Sequence, residues 1–242
     1  MNIKFLGTSF GAPSKGRCQP SVLVETDKFS YLIDVGAPVL DILINSGYDL
    51  KKIKAIFITH MHGDHINGLF DILNLAGYYK LNLNIYVSEQ CGIKLFEDYC
   101  IMQSNGKISN NINFKLIKQG NFYDDGNLKI TSFPTSHMEA SGRTAYGFLI
   151  KADDKKAYFT GDLHCSLKDF PEFLSVEPVD MIVTECAHFS AEAIIEKLKN
   201  CKTSTAAIVH VMPTEKYKDF KKYINDIPLK IVFPKDNDEY TI

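Results

Sequence analysis

Thr59-His60-Met61-His62-Gly63-Asp64-His65 sets three imidazoles and a carboxylate within a few residues of one another. The residues before it, Ile53-Lys54-Ala55-Ile56-Phe57-Ile58, are β-branched and aromatic enough to form a buried strand. Those after it, Ile66, Leu69, Phe70, Ile72, Leu73, Leu75 and Ala76, recur at helical spacing. The cluster therefore occupies the turn between a strand end and a helix start. Neutral imidazole and carboxylate are the common nitrogen and oxygen ligands of zinc and similar divalent ions. Packing gives no reason to crowd three histidines, which repel one another once protonated. The stretch reads as a metal site.

The rest of the chain sets the frame. Its 242 residues suffice for one large domain, spanning 1–242, and 45% apolar with 23% charged residues is ordinary for a globular protein. No apolar run reaches the roughly 18 residues that a membrane span requires. The N-terminus, Met1 to Thr8, lacks the charged head and apolar body of a secretion signal and reads as a first strand, so a cytoplasmic location is expected. Cys18, Cys91, Cys100, Cys165, Cys186 and Cys201 form no Cys-x-x-Cys pair and read as reduced thiols. The net charge is −2. Lys216, Lys218, Lys221 and Lys222 read as the solvated face of a C-terminal helix, and a nucleic-acid partner is not expected.

Working outward, Ile3–Leu6 is a strand followed by a Gly/Pro/Ser loop to Arg17. Ser21–Glu25 and Phe29–Asp34 pair across Thr26-Asp27-Lys28, and Pro38 opens a helix to about Ser46. Beyond the histidine-rich turn, Leu83–Val87 is a strand, Glu89–Gln103 a helix and Asn105–Asn113 a loop. Strands at Asn113–Ile117 and Leu128–Phe133 lead to a hairpin, Tyr146–Ile150 with Lys156–Thr160. Strand and helix then alternate: Asp180–Thr184, Ala191–Lys199, Thr205–Val211, Tyr217–Ile224 and Leu229–Phe233. Each half runs from strands to helices, which predicts two sheets rather than one wound parallel sheet.

With seven histidines in the chain, each can be weighed. His137 lies where a strand breaks, Asp162 follows Gly161 at a strand end, and His210 ends an apolar strand. Strand ends converge on one rim of a sheet, where sites are built. Together with the cluster they supply ligands for two ions.

His60-x-His62-x-Asp64-His65, followed in order by His137, Asp162 and His210, with Asp34 ahead of Gly36, resembles the metallo-β-lactamase superfamily from end to end. The resemblance implies an α/β (α+β) fold, a four-layer αββα sandwich of two mixed sheets with outer helices. It implies that His60, His62 and His137 hold one ion, that Asp64, His65 and His210 hold a second, that Asp162 bridges them and that Asp34 orients ligands from behind. Zinc is the expected metal, and manganese or iron suit the same donors.

Phe5-Leu6-Gly7-Thr8 with its loop, and Gly68-Leu69, are similar to the ribonuclease Z and cyclic phosphodiesterase branch. Ribonuclease Z commonly inserts a tRNA-gripping arm between the His137-like and Asp162-like positions. Only 24 residues separate them here. The His-Glu-Ala-Thr stretch of that branch is matched by Thr184-Glu185-Cys186-Ala187, without its histidine. Both departures favour a small substrate.

The activity so implied is metal-dependent hydrolysis by a hydroxide bound to the dinuclear centre, on a small phosphodiester or cyclic nucleotide. A ribonuclease Z-like tRNA 3′ endonuclease is the alternative, as is a lactonase or β-lactamase-like hydrolase acting on a carbonyl. A flavin-linked redox protein would need a further domain, and a non-catalytic relative would have lost ligands. Asp64 can also accept a proton from the attacking water. His188, after the strand Met181–Thr184, is the candidate proton donor to the leaving group, and His164 its competitor. The two arginines, Arg17 and Arg143, both lie in Gly-containing loops, and their planar forks suit an anionic part of a small-molecule substrate. The resemblance leaves a homodimer open.

Overall fold

The apolar runs form strands close to their expected bounds, and their order in the sheets follows from how they are connected. The computed structural model describes residues 1–103, 110–224 and 227–242. These form two compact units, 1–118 with 235–241 and 119–234 with 242. Part of the expected loop at Asn105–Asn113 lies outside the described residues.

The first unit contains β1 (Asn2–Gly7), β2 (Ser21–Glu25), β3 (Ser30–Val35), α1 (Val39–Asn45), β4 (Ile53–Phe57), α2 (Gly63–Tyr79), β5 (Leu83–Val87), α3 (Gln90–Gln103) and β6 (Ile112–Leu116). The chain's last strand, β14 (Glu239–Thr241), returns to pair with β1, giving a seven-stranded sheet in the order β14-β1-β2-β3-β4-β5-β6. Connections without a helix, a long loop from β1 to β2 and a short turn from β2 to β3, leave these strands antiparallel, whereas each helical crossover makes the next pair, β3 to β6, parallel. Leu23, Leu32, Ile56 and Ile85 join Leu40, Leu43, Leu69, Ile72 and Phe96 of the helices in one core.

The second unit contains β7 (Gly120–Asp124), β8 (Lys129–Thr135), β9 (Ala145–Ala152), β10 (Lys155–Phe159), β11 (Val179–Cys186), α4 (Ala191–Leu198), β12 (Thr203–Val211), α5 (Lys216–Phe220) and β13 (Lys230–Val232). Its sheet runs β13-β12-β11-β10-β9-β8-β7, antiparallel from β7 to β10 and parallel from β10 to β13. Ser190 caps α4 by accepting from the Ala193 amide, and the helix buries Ala191, Ile194, Ile195 and Leu198. Each unit thus carries a mixed seven-stranded sheet with helices, the α+β class expected.

Three local expectations are corrected. β7 and β14 have no counterpart in the sequence reading. Both are edge strands of largely polar sequence, Gly-Asn-Phe-Tyr-Asp and Glu-Tyr-Thr, and an edge supplies no apolar alternation to read. The C-terminal helix spans only Lys216–Phe220 rather than Tyr217–Ile224. Lys216 is also no part of a solvated face: its ammonium donates to the carbonyls of Cys186, Ala187 and Phe189.

Candidate metal centre

In the first unit, α2 begins at Gly63, so Asp64 and His65 fall in its first turn while His60 and His62 lie on the approach to it. The segment can sit this close to β3 because two glycines leave room. A Cβ on Gly36 would lie 2.4 Å from the Asp64 carbonyl oxygen, and one on Gly68 would lie 2.8 Å from that of Val35. Met61, the apolar residue between the first two histidines, is buried against Gly92 of α3. His60 and His65 are buried, and His62 is exposed.

Asp34 organises this half. It is the penultimate residue of β3 and sits at φ 55°, a left-handed conformation that aspartate tolerates better than most residues. Its Oδ1 accepts the Thr59 amide at 2.8 Å, and its Oδ2 accepts both the Thr59 hydroxyl at 2.8 Å and His65 Nδ1 at 2.7 Å. An ionised carboxylate can only accept, so His65 carries hydrogen on Nδ1 and presents Nε2, a buried atom, as a lone pair on the side away from Asp34. Thr59 Oγ1, having donated to Asp34, lies 3.1 Å from His60 Nδ1 and fixes that ring in the same sense. Carboxylate and hydroxyl partners of this kind accompany metal-bound imidazoles.

The four ligand candidates of this half fall into two pairs. His60 Nε2 lies 3.0 Å from His62 Nδ1. His65 Nε2 lies 3.4 Å from Asp64 Oδ2. Two donors on one tetrahedral zinc, at bonds of about 2.0–2.1 Å, are about 3.3 Å apart. The donor chemistry and the spacing both fit divalent metal.

In the second unit the candidates come from separate strand ends. His137 follows β8, Asp162 follows β10, and His210 lies near the end of β12. Gly161, at φ 58°, makes the turn that brings Asp162 off its strand, and His210 itself sits at φ 50°. Thr135 Oγ1 donates to the Asp162 carbonyl. Asp162 Oδ2 lies 3.6 Å from His137 Nε2 and 3.9 Å from His210 Nε2, with all three side chains buried. One carboxylate oxygen thus faces two imidazoles.

His188 stands beside this group, its ring 4.6 Å from that of His137 and 6.0 Å from that of His210. Glu185 holds it. Oε1 accepts from His188 Nδ1 at 2.7 Å and from the Leu163 amide at 2.9 Å, while Oε2 accepts the Ala187 and His188 amides. Thr184, which occupies the position of the missing histidine, is buried and bonded to Thr160. Cys186 is no ionisable substitute, because burial pushes its thiol up to about 12. His164 Nδ1 lies 2.8 Å from Ser166 Oγ, and its amide donates to Asp169.

The arginines differ in setting. Arg17 Nη1 donates to Thr8 Oγ1, which in turn donates to Asp236. Arg143 is exposed beyond a single 3₁₀ turn. Two supporting residues went unread in the sequence, Thr59 and Glu185. Thr59 directly precedes the cluster, and Glu185 is an acid at the end of an apolar strand three residues before a histidine; either pattern could have drawn notice.

Fold and relatives agree on the class. YhfI of Bacillus subtilis, a metallo-β-lactamase fold protein, superposes with a TM-score of 0.80 at 17% identity, covering 99% of this chain and 98% of its own. The short form of human tRNase Z does so with a TM-score of 0.76 at 18% identity, covering 100% and 99%. A ribonuclease Z of Listeria monocytogenes is 30% identical over 159 residues, 64% of this chain and 51% of its own length. The chain thus spans about half the length of the curated relatives it matches. The chain has the metallo-β-lactamase fold of these neighbours, with clustered donors that suit a metal ion. Within that class the chain belongs to the family described as the anti-Pycsar protein Apyc1, which it matches over residues 1–232. The likeness to a ribonuclease weakens the expectation, drawn from charge, that nucleic acid is no partner. Among the described residues, no helix is long and apolar enough to cross a membrane.

Proposed function

We propose that the chain is a phosphodiesterase acting on a small phosphodiester or cyclic nucleotide with two divalent ions, zinc by preference. In this reading His60, His62 and His137 hold one ion, and Asp64, His65 and His210 the other. Asp162 serves both, and Asp34 orients His65 directly and His60 through Thr59. The observation that carries the two-ion reading is the sorting of donors: two separate pairs in the first unit, and in the second one carboxylate oxygen facing two imidazoles. Such ions lower the pKa of a water and stabilise charge on phosphoryl oxygens.

The chain's own groups supply the rest. Asp64 can take a proton from the attacking water. His188, tied to Glu185 through Nδ1, exchanges a proton through Nε2 and is suited to protonate an alkoxide leaving group. Arg143 or Arg17 would bind an anionic part of the substrate. Arg143→Lys should raise KM for an anionic substrate and spare a neutral one, and equal effects on both would reject that role.

Support for a small substrate comes from the stretch between His137 and Asp162. It consists of a 3₁₀ turn and the β9–β10 hairpin, with no room for an RNA-gripping arm. A tRNA 3′ endonuclease remains the second reading, favoured by the Listeria relative. The deciding experiment measures turnover of bis(p-nitrophenyl) phosphate, a 2′,3′-cyclic nucleotide, a pre-tRNA and a homoserine lactone by metal-analysed protein. Cleavage of the two diesters, lost in His62→Ala, is expected. Pre-tRNA cleavage would install the second reading, and lactone cleavage alone would move the chemistry to a carbonyl.

A further inference from the structure

Lys216 opens α5, the short helix after β12. Its Nζ lies 3.0 Å from Cys186 O, 3.0 Å from Ala187 O and 2.7 Å from Phe189 O. An ammonium has three N–H donors. All three are directed to the main chain of one short loop, and that loop carries His188.

The loop is gripped from its other side by Glu185. The carboxylate accepts the Ala187 amide at 2.7 Å, the His188 amide at 3.2 Å and the His188 ring at 2.7 Å. It is itself 2% exposed. Amides held by a buried anion and carbonyls held by a cation fix the backbone on both sides of His188, so the ring has little freedom to leave its place beside His137. A flexible lysine that only solvated the surface would not converge on three carbonyls.

We propose that Lys216 is a positioning residue: by holding the carbonyls of Cys186, Ala187 and Phe189 it fixes His188 for proton transfer to the leaving group. This rests on the reading above in which His188 is the proton donor. Proton transfer requires approach to about 2.6–3.2 Å, and a displacement of about 1 Å costs on the order of 100-fold. Loosening the loop should therefore impair only substrates whose leaving group needs a proton. A cyclic nucleotide expels an alkoxide and needs one, whereas p-nitrophenolate leaves without.

The test compares Lys216→Met, Lys216→Gln, His188→Ala and the double variant His188→Ala/Lys216→Met in the full-length, zinc-loaded protein. It has two readouts, kcat on a 2′,3′-cyclic nucleotide against bis(p-nitrophenyl) phosphate, and amide exchange followed by NMR. For Lys216→Met we expect kcat on the cyclic nucleotide to fall about tenfold more than on the activated diester. We expect the Ala187 and His188 amides to exchange at least about tenfold faster, with Ile182 inside β11 unchanged. The double variant should be no worse than His188→Ala alone. Lys216→Gln, with fewer donors on a shorter stem, should shift both readouts less, and it decides the matter if Lys216→Met does not fold. Unchanged exchange at Ala187 and His188 would overturn the proposal, as would equal losses on both substrates with exchange raised throughout the unit. If His188→Ala shows no leaving-group preference while Lys216→Met still frees the two amides, the proton-donor reading falls and the placement of His188 by Lys216 stands.

Discussion

The two units bring their ligand candidates together by opposite means. In the first, His60, His62, Asp64 and His65 are consecutive or nearly so, and a single strand-to-helix turn presents them all. In the second, His137, Asp162 and His210 come from three strands, and only the sheet's register makes them neighbours. The first arrangement is set by local chain geometry and needs space, which Gly36 and Gly68 provide. The second is set by strand order and needs unusual backbone at the strand ends, seen in the positive φ of Gly161 and His210. A contiguous cluster is therefore vulnerable to whatever pushes the segment as a whole, and a dispersed one to the loss of the group that its members share.

Asp162→Asn should have the largest effect, since one carboxylate oxygen faces both imidazoles of the second unit. We expect metal stoichiometry to drop and turnover to fall by more than about 100-fold, beyond the 10–100-fold usual for outer partners. Near-normal metal content and rate would break the comparison. Gly36→Ala comes next: its Cβ would meet the backbone oxygen of Asp64, which cannot move without carrying the ligand turn along. A cost of about 1–3 kcal/mol, or more, in thermal unfolding is expected, with a parallel loss of bound metal.

The supporting carboxylates separate the two halves by function. Asp34→Asn should weaken metal binding about 10–100-fold in a chelator competition, because both His60 and His65 depend on it. Glu185→Gln should retain metal and instead lose turnover of substrates with poor leaving groups, because it supports His188. A reversal of these two phenotypes would show that the supports had been assigned to the wrong chemistry. The smallest effect is expected of Gly92→Ala. Its Cβ would lie 2.7 Å from Met61 Cε, a flexible tip that can shift, so a few-fold change in metal affinity at most should appear in the same competition.

The same contrast accounts for what could be read beforehand. The strand before His60 and the helix after His65 follow from periodicity, and the cluster from its own spacing. His137, Asp162 and His210 could be chosen only because the chain has few histidines and because its motif order resembles a known superfamily. β7 and β14 escaped notice because edge strands need no apolar alternation. Lys216 was misread because a lysine's burial depends on what folds against it, here three carbonyls of a loop thirty residues away or less.

By itself the sequence determined the alternation of strands and helices, the histidine-rich turn and the type of donor atoms it offers, since side-chain periodicity and ligand type are local properties. The tertiary structure alone decided the partners: that Asp34 turns His65 through Nδ1, that one oxygen of Asp162 faces two imidazoles, and that Glu185 and Lys216 grip the loop of His188 from opposite sides. Those relations depend on strand register and on backbone groups brought together across long stretches of chain. No local pattern encodes them.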